Sequence, residues 1–259
     1  MGGNFYTDFN IIFGDNRANI QEGGTSMSLT MDQHSGSGMA SKNEYLFGRF
    51  DMQIKLIPNN SAGTVTTLYL SSIGSHHDEI DLEFLGNLSG DPYILSTNLY
   101  ANGIGGREMQ FYLWFDPTED FHTYSIDWNP QRIIILVDNI PIRVFHNKEN
   151  IGVSFPTSQP MRVYTTLWDG DFWATRGGQV KIDWSKAPFV ASFKNFNANA
   201  CIAKLEASCK DFNGGRNKGL NAQIRKQLKD IHSKWVVYDY CRDFIRFAHG
   251  FPSECNKKS

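Results

Sequence analysis

Glu79-Ile80-Asp81-Leu82-Glu83-Phe84 alternates three carboxylates with three large apolar residues. In an extended strand successive side chains point to opposite faces. Ile80, Leu82 and Phe84 therefore bury together, while Glu79, Asp81 and Glu83 stand in a row on the other side. Like charges in line on a rigid strand raise one another's cost of ionisation. Two glutamates of unequal protonation with an aspartate between them are what retaining glycoside hydrolysis requires. One carboxylate attacks the sugar and one carboxylic acid protonates the leaving oxygen. Geometry adds a condition. Cα atoms four residues apart on a strand lie roughly 13 Å apart at about 3.3 Å per residue, whereas a retaining pair needs its carboxyl groups about 5–5.5 Å apart. Long Glu side chains close that gap on the concave face of a bent sheet, so the motif predicts a curved sheet. Two other readings stay open at this point: a solvated strand face, and a divalent-metal site formed with His76, His77 and Asp78.

Outward from that strand, Thr64–Leu70, Tyr124–Trp128 and Ile133–Val137 are rich in β-formers. They are bounded by Asn59-Asn60-Ser61, Asn129-Pro130 and Asp138-Asn139, the last placed as a hairpin turn. Many short strands without a long helical period indicate an all-β sandwich over residues 1–199. The pattern then changes. Leu220, Ile224, Leu228, Ile231 and Trp235 share one stripe of a helix, after Gly214, Gly215 and Gly219. Residues 200–259 are thus a small C-terminal extension with one α-helix. It is too small for its own core, so its stripe should pack on the sandwich.

A formal charge of −2 over 259 residues argues against nucleic acid or an anionic membrane surface as partner. No apolar run approaches the roughly 20 residues needed to span a bilayer. Met1-Gly2-Gly3 is not followed by a signal-peptide core, which leaves an intracellular chain or one whose leader has been replaced. The cysteines favour the second. All four follow position 200, in two local pairs, Cys201 with Cys209 and Cys241 with Cys255, which reads as disulfides in an oxidising compartment. Asn87-Leu88-Ser89 is a glycosylation sequon at an expected surface turn. A secreted protein is the expectation.

Sugars present flat faces of C–H bonds on which aromatic rings stack. Trp168-Asp169-Gly170-Asp171-Phe172-Trp173 sets two tryptophans among loop residues, with Trp173 as an exposed platform and Trp168 as either core or platform. Asn98 and the Gly106-Arg107-Glu108 turn add hydrogen-bonding groups close behind the acids. His76 and His77 read as polar residues at a strand end.

His77-Asp78-Glu79-Ile80-Asp81-Leu82-Glu83-Phe84-Leu85-Gly86-Asn87 resembles the active-site signature of glycoside hydrolase family 16, in the form of the plant xyloglucan endotransglucosylase/hydrolases. Lys42–Gly48, Asn60–Val65, Phe111–Pro117, Trp173–Gly178 and the four-cysteine tail are similar to family segments too, so the resemblance spans essentially the whole chain. It implies a curved β-jelly-roll with an open cleft on its concave face. It implies Glu79 as nucleophile, Glu83 as general acid/base and Asp81 as helper, with no cofactor and no metal. Donor and acceptor contacts map onto Thr97, Asn98, Arg107, Glu108, Trp173, Gly178 and Arg246, and the family glycosylation site maps onto Asn87. The implied protein is a monomer of the cell wall and apoplast. It cuts a polysaccharide donor and passes the glycosyl group to the 4-OH of a xyloglucan acceptor.

The chain departs from the family pattern at Phe13, Met39, Leu68 and Ser96. With these placed on the donor side, mixed-linkage glucan and cellulose stand beside xyloglucan as donors. Within the enzyme class the alternative is a hydrolase, but hydrolytic members carry a longer loop where Ala101–Arg107 is short, which favours transfer. A wall-binding lectin on the same scaffold is expected to lose one of the acids, and all three are present.

Overall fold

Alternating segments separated by turn residues fold as antiparallel strands. The computed structural model describes residues 3–204, 209 and 220–255. Its strands in chain order are β1 (Phe9–Phe13), β2 (Ala18–Gln21), β3 (Ser26–Met31), β4 (Ser37–Ser41), β5 (Tyr45–Lys55), β6 (Thr64–Ser71), β7 (Glu79–Leu85), β8 (Ile94–Tyr100), β9 (Met109–Tyr112), β10 (His122–Asn129), β11 (Arg132–Val137), β12 (Ile140–His146), β13 (Arg162–Asp169), β14 (Phe189–Ile202) and β15 (Val236–Asp239). The α-helices are α1 (Phe5–Asp8) and α2 (Ala222–Lys234).

Two sheets form the sandwich. One has eight strands in the order β1-β4-β13-β6-β7-β8-β9-β15, and the other has seven in the order β12-β11-β10-β5-β14-β3-β2. The acidic strand β7 lies inside the eight-stranded sheet, paired with β6 and β8. Its apolar set faces inward as the alternation requires: Ile80, Leu82 and Phe84 are all 0% exposed. Phe84 meets Tyr124 of the opposite sheet edge-on, with ring centroids 4.6 Å apart. Burying a side chain of that size contributes about 1.5–3 kcal/mol. Because the inner face is held this way, the acids cannot rotate inward without exposing the core.

Asp138 and Asn139 join β11 to β12 with φ of 48° and 62°, the two left-handed residues of the expected two-residue hairpin turn. Helix α2 starts at Asn221, whose side chain accepts from the Ile224 N–H. Leu220 therefore precedes the helix, and Trp235 is its C-cap. Gly214, Gly215 and Gly219 lie outside the described residues. Ile231 is buried, and His232 Nε2 lies 2.9 Å from the Ile142 carbonyl oxygen, which seats α2 on β12.

The extension does more than pack on the sandwich. β15 pairs with β9 and forms the far edge of the acidic sheet. At the other end β14 continues through residue 199 to Ile202, because it keeps pairing with β5 as far as Tyr45. Both disulfides form within the tail, Cys201–Cys209 and Cys241–Cys255. Among the described residues no helix is long and apolar enough to cross a membrane.

Candidate active site

Register decides what faces the acids. Glu79, Asp81 and Glu83 stand opposite Tyr100, Asn98 and Ser96 of β8, and opposite Ser71, Tyr69 and Thr67 of β6. Paired residues in an antiparallel sheet point to the same face. The acids thus share a hollow of about 310 Å³ with Thr67, Tyr69, Asn98, Tyr100, Thr166 and Trp168. Thr67 and Thr166 close its floor with a 2.7 Å hydroxyl–hydroxyl hydrogen bond, and Tyr69 stacks on Tyr164 at 4.9 Å and 11°.

The acids are not a solvated face. Asp81 is only 8% exposed. Its pKa is held well above the carboxylate range, first by burial, then by the charges of Glu79 and Glu83 and by a hydrogen bond with Glu79. Burial and the flanking charges thus favour the protonated form of Asp81, which is in hydrogen-bond contact with Glu79. Glu83 is pushed from 4.5 up to about 7, first by burial, then by the charge of Glu108 and then by Glu79. A carboxylic acid at that value still carries its proton in mildly acidic solution, as a general acid must. The charge of Glu79 acts on both Asp81 and Glu83, so the three groups are electrostatically linked.

The metal reading loses its geometry. Asp78 turns away and accepts the Asn102 N–H at 2.8 Å. His77 stacks on Tyr100 with its Nε2 4.0 Å from Glu79 Oε2, so it borders the row of acids without completing a ligand set. Among the described residues no three His, Cys, Asp or Glu side chains converge as for a metal ion.

The expected binding residues divide. Asn98 faces the hollow. Its Oδ1 accepts the N–H of Leu99 and of Arg107, both at 2.9 Å, which turns the amide NH2 towards Tyr100 on the hollow's lining. Glu108 lies on the same side, accepting from Ser96 Oγ at 3.0 Å and Gln110 Nε2 at 2.8 Å. Trp168 lines the hollow and lies 6.2 Å from Trp173, and both rest on Val65, Leu85 and Ala174. Trp173 is half-buried there, and the more open ring of that loop is Phe172, 73% exposed. Gly178 closes the loop behind Phe172, its N–H donating to the Thr175 carbonyl. Arg246 is exposed, with its guanidinium against Gly106. Asn87 is half-buried at the turn after β7, its Nδ2 donating to the Pro92 carbonyl at 3.0 Å.

Thr97 and Arg107 are corrections. Thr97 is one residue out of phase with the acids' partners and points into the core, 0% exposed, where its hydroxyl donates to the Met109 carbonyl and accepts from Arg143. Arg107 is 6% exposed and ion-paired with Glu254 at 2.8 Å, so its side chain does not reach the cleft. Two of the four departures turn inward as well: Met39 and Leu68 are 0% and 1% exposed core residues. Phe13 remains on the cleft face, its ring lying over Gly38 beside Thr166, and Ser96 remains beside Glu83. Tyr69, Tyr164, Tyr100 and Gln110 were missed. Their signal is alternation on the flanking strands, readable only once the register is known.

Residues 5–186 match the model of the glycosyl hydrolases family 16. The chain belongs to this family. Residues 208–255 match the model of the xyloglucan endo-transglycosylase C-terminus, so the family 16 protein carries that extension too. It is 57% identical over 258 residues to xyloglucan endotransglucosylase protein 1 of Diospyros kaki, covering 100% of this chain and 90% of the relative. It is equally 57% identical to xyloglucan endotransglucosylase/hydrolase protein 15 of Arabidopsis thaliana, covering 98% of this chain and 90% of the relative. Its fold is that of a β-1,3-1,4-glucanase from a mouse hindgut metagenome, at TM-score 0.62 and 24% identity, covering 78% of this chain and 99% of that one.

Proposed function

We propose that this family 16 protein is a retaining endo-transglycosylase of the plant cell wall, acting as a secreted monomer. It cleaves a β-1,4-glucan backbone, with xyloglucan as donor, and transfers the glycosyl group to the 4-OH of another xyloglucan chain. The observation that carries the reading is the asymmetric row of acids. The Glu83 carboxyl is pushed up to about 7, and Asp81, hydrogen-bonded to Glu79, is raised well above the carboxylate range, in an open hollow. Glu79 attacks the anomeric carbon while Glu83 gives its proton to the departing glucan oxygen, leaving a covalent glycosyl-enzyme. Glu83, now a carboxylate, then takes the proton of the incoming 4-OH as that oxygen displaces Glu79 and restores the acid row. The two relatives named for xyloglucan transfer, at 57% identity over nearly the whole chain, support the substrate class. Trp168, Trp173 and Phe172 supply stacking faces beside the acids, and Asn98 supplies an amide donor. The paired tail cysteines support export to an oxidising compartment, with Asn87 as the glycan acceptor.

Water stands at about 55 M, so transfer requires that a bound acceptor present its hydroxyl at a still higher effective molarity. The test is to incubate the protein with xyloglucan, mixed-linkage glucan or cellulose and one labelled xyloglucan oligosaccharide. Label should enter xyloglucan polymer, and polymer size should fall with few new reducing ends. Reducing ends that form as fast without the oligosaccharide as with it would make the protein a hydrolase.

A further inference from the structure

Arg107 and Glu254 form a buried ion pair across the seam between the sandwich and the C-terminal extension. Arg107 Nε donates to Glu254 Oε1 at 2.8 Å, and the two side chains are only 8% and 9% exposed. Charged groups are rarely buried so deeply unless they hold something in place, because desolvation offsets much of their attraction. The remaining contacts of this arginine join one loop to β8 and β12. Its Nη1 donates to the carbonyl of Ile104 at 2.6 Å and reaches that of Leu99 at 3.4 Å. Its guanidinium centre lies 5.4 Å from the Phe145 ring centroid. Its carbonyl accepts from Arg143 Nη2, and its N–H donates to Asn98 Oδ1.

The loop so held is the short one beside the acids. Asn102, Gly103 and Gly106 in it have φ of 54°, 75° and 79°, the left-handed conformations that Gly and Asn adopt readily in a tight turn. The extension grips it from two sides. Glu254 binds Arg107 and stands next to Cys255, whose disulfide to Cys241 closes a tail segment with a sequence separation of 14. From the other side the Arg246 guanidinium lies against Gly106, whose φ of 79° suits glycine. The cleft end of this chain of contacts is Asn98. With Oδ1 bound by the Arg107 N–H, its amide presents NH2, opposite Asp81.

We propose that Arg107 is a positioning residue for the acceptor, with Glu254 as its latch. By tying the disulfide-closed tail to the 102–106 loop and to Asn98, the pair sets the geometry in which an acceptor sugar hydroxyl approaches the glycosyl-enzyme. It touches no substrate. This role rests on the transfer reading above. It separates acceptor use from formation of the glycosyl-enzyme on a donor with a small leaving group, because only a departing glucan would occupy the subsites that the acceptor fills.

The test uses the full-length protein with Glu254→Gln, Glu254→Ala and the paired apolar replacement Arg107→Met/Glu254→Leu. The double variant leaves no buried charge unpaired, so it remains folded if a single one does not. Two rates are read on each: acceptor-free hydrolysis of a xyloglucan oligosaccharide carrying a small activated leaving group, and transfer to a labelled xyloglucan oligosaccharide over a range of concentrations. The KM for acceptor should rise about tenfold in Glu254→Ala and in the double variant. It should rise only a few-fold in Glu254→Gln, which keeps an oxygen acceptor for Arg107 Nε, while acceptor-free hydrolysis stays within twofold. A folded double variant with the wild-type acceptor KM sinks the proposal. So does parallel loss of both rates, which marks a purely structural role. Absence of acceptor-dependent transfer in the wild-type protein is a different failure and overturns the transglycosylase reading itself.

Discussion

Glu108→Gln should move the alkaline limb of the pH–rate profile to lower pH. Glu83 is raised from 4.5 to about 7, which amounts to about 3 kcal/mol against its ionisation. Burial is the largest cause and the Glu108 charge the second. Glu108 follows β8 at the start of β9, two strands from β7, so its carboxyl lies roughly 10 Å from Glu83 at about 4.8 Å per strand. At an effective dielectric of about 20, a unit charge at that distance is worth roughly 1.7 kcal/mol, or about 1.2 pH units. Because burial contributes more than Glu108 does, the expected displacement is about one pH unit at most. Glutamine keeps the acceptor oxygen that binds Ser96 and Gln110, so the change removes charge with little else. Glu83 must be protonated to release the leaving glucan, so activity falls as pH rises through its pKa. The assay is kcat/KM for xyloglucan cleavage against pH, which reports the free enzyme. A control donor with a good leaving group needs no proton and should show a weaker alkaline limb. An unmoved limb, or one displaced upward, would refute the electrostatic link from Glu108 to Glu83.

Three further outcomes follow from the same side chains. Glu83→Gln should stabilise the protein at high pH: folded Glu83 retains a proton that the unfolded chain releases, so stability from this group falls as pH rises from 4.5 through about 7. A gain on the order of 2–3 kcal/mol in denaturant melts at pH 8 and none at pH 4 is expected, and an equal gain at both would contradict it. Glu79→Ala should abolish cleavage, with azide restoring turnover of an activated donor by entering the vacated space; near wild-type activity would end the nucleophile assignment. Cys241→Ser/Cys255→Ser should cost about 3 kcal/mol of stability by the loop-entropy argument, read from thermal or denaturant melts, and a loss below about 0.5 kcal/mol would show that the tail is held by other contacts.

The period-two alternation of β7 settled, before any coordinates, which residues bury and which line up as acids, because a strand has only two faces. The helix stripe from Ile224 to Trp235 and the Asp138-Asn139 turn were legible for the same reason: each is a local preference of a few adjacent residues. Partners across strands were not legible. Thr97 and Ser96 are neighbours in sequence, and which of them stands beside Glu83 depends on how many residues the turn from Gly86 to Tyr93 consumes before β8 begins. A change of one reverses both faces. Met39 and Leu68, placed in the cleft by family pattern, fall in the core by the same parity.

The site's chemistry divides along that line. The sequence alone determined that three carboxylates share one face of a β-sandwich strand, and therefore what kind of reaction this chain is built for. Only the tertiary structure decided which acids are pushed towards holding a proton. The causes are burial under neighbouring strands and the charge of Glu108 from β9, and neither is a property of the strand itself. It likewise decided that Arg107 turns away from the cleft to meet Glu254, 147 residues distant, because an ion pair depends on separation in space and a chain's local pattern carries no record of that separation.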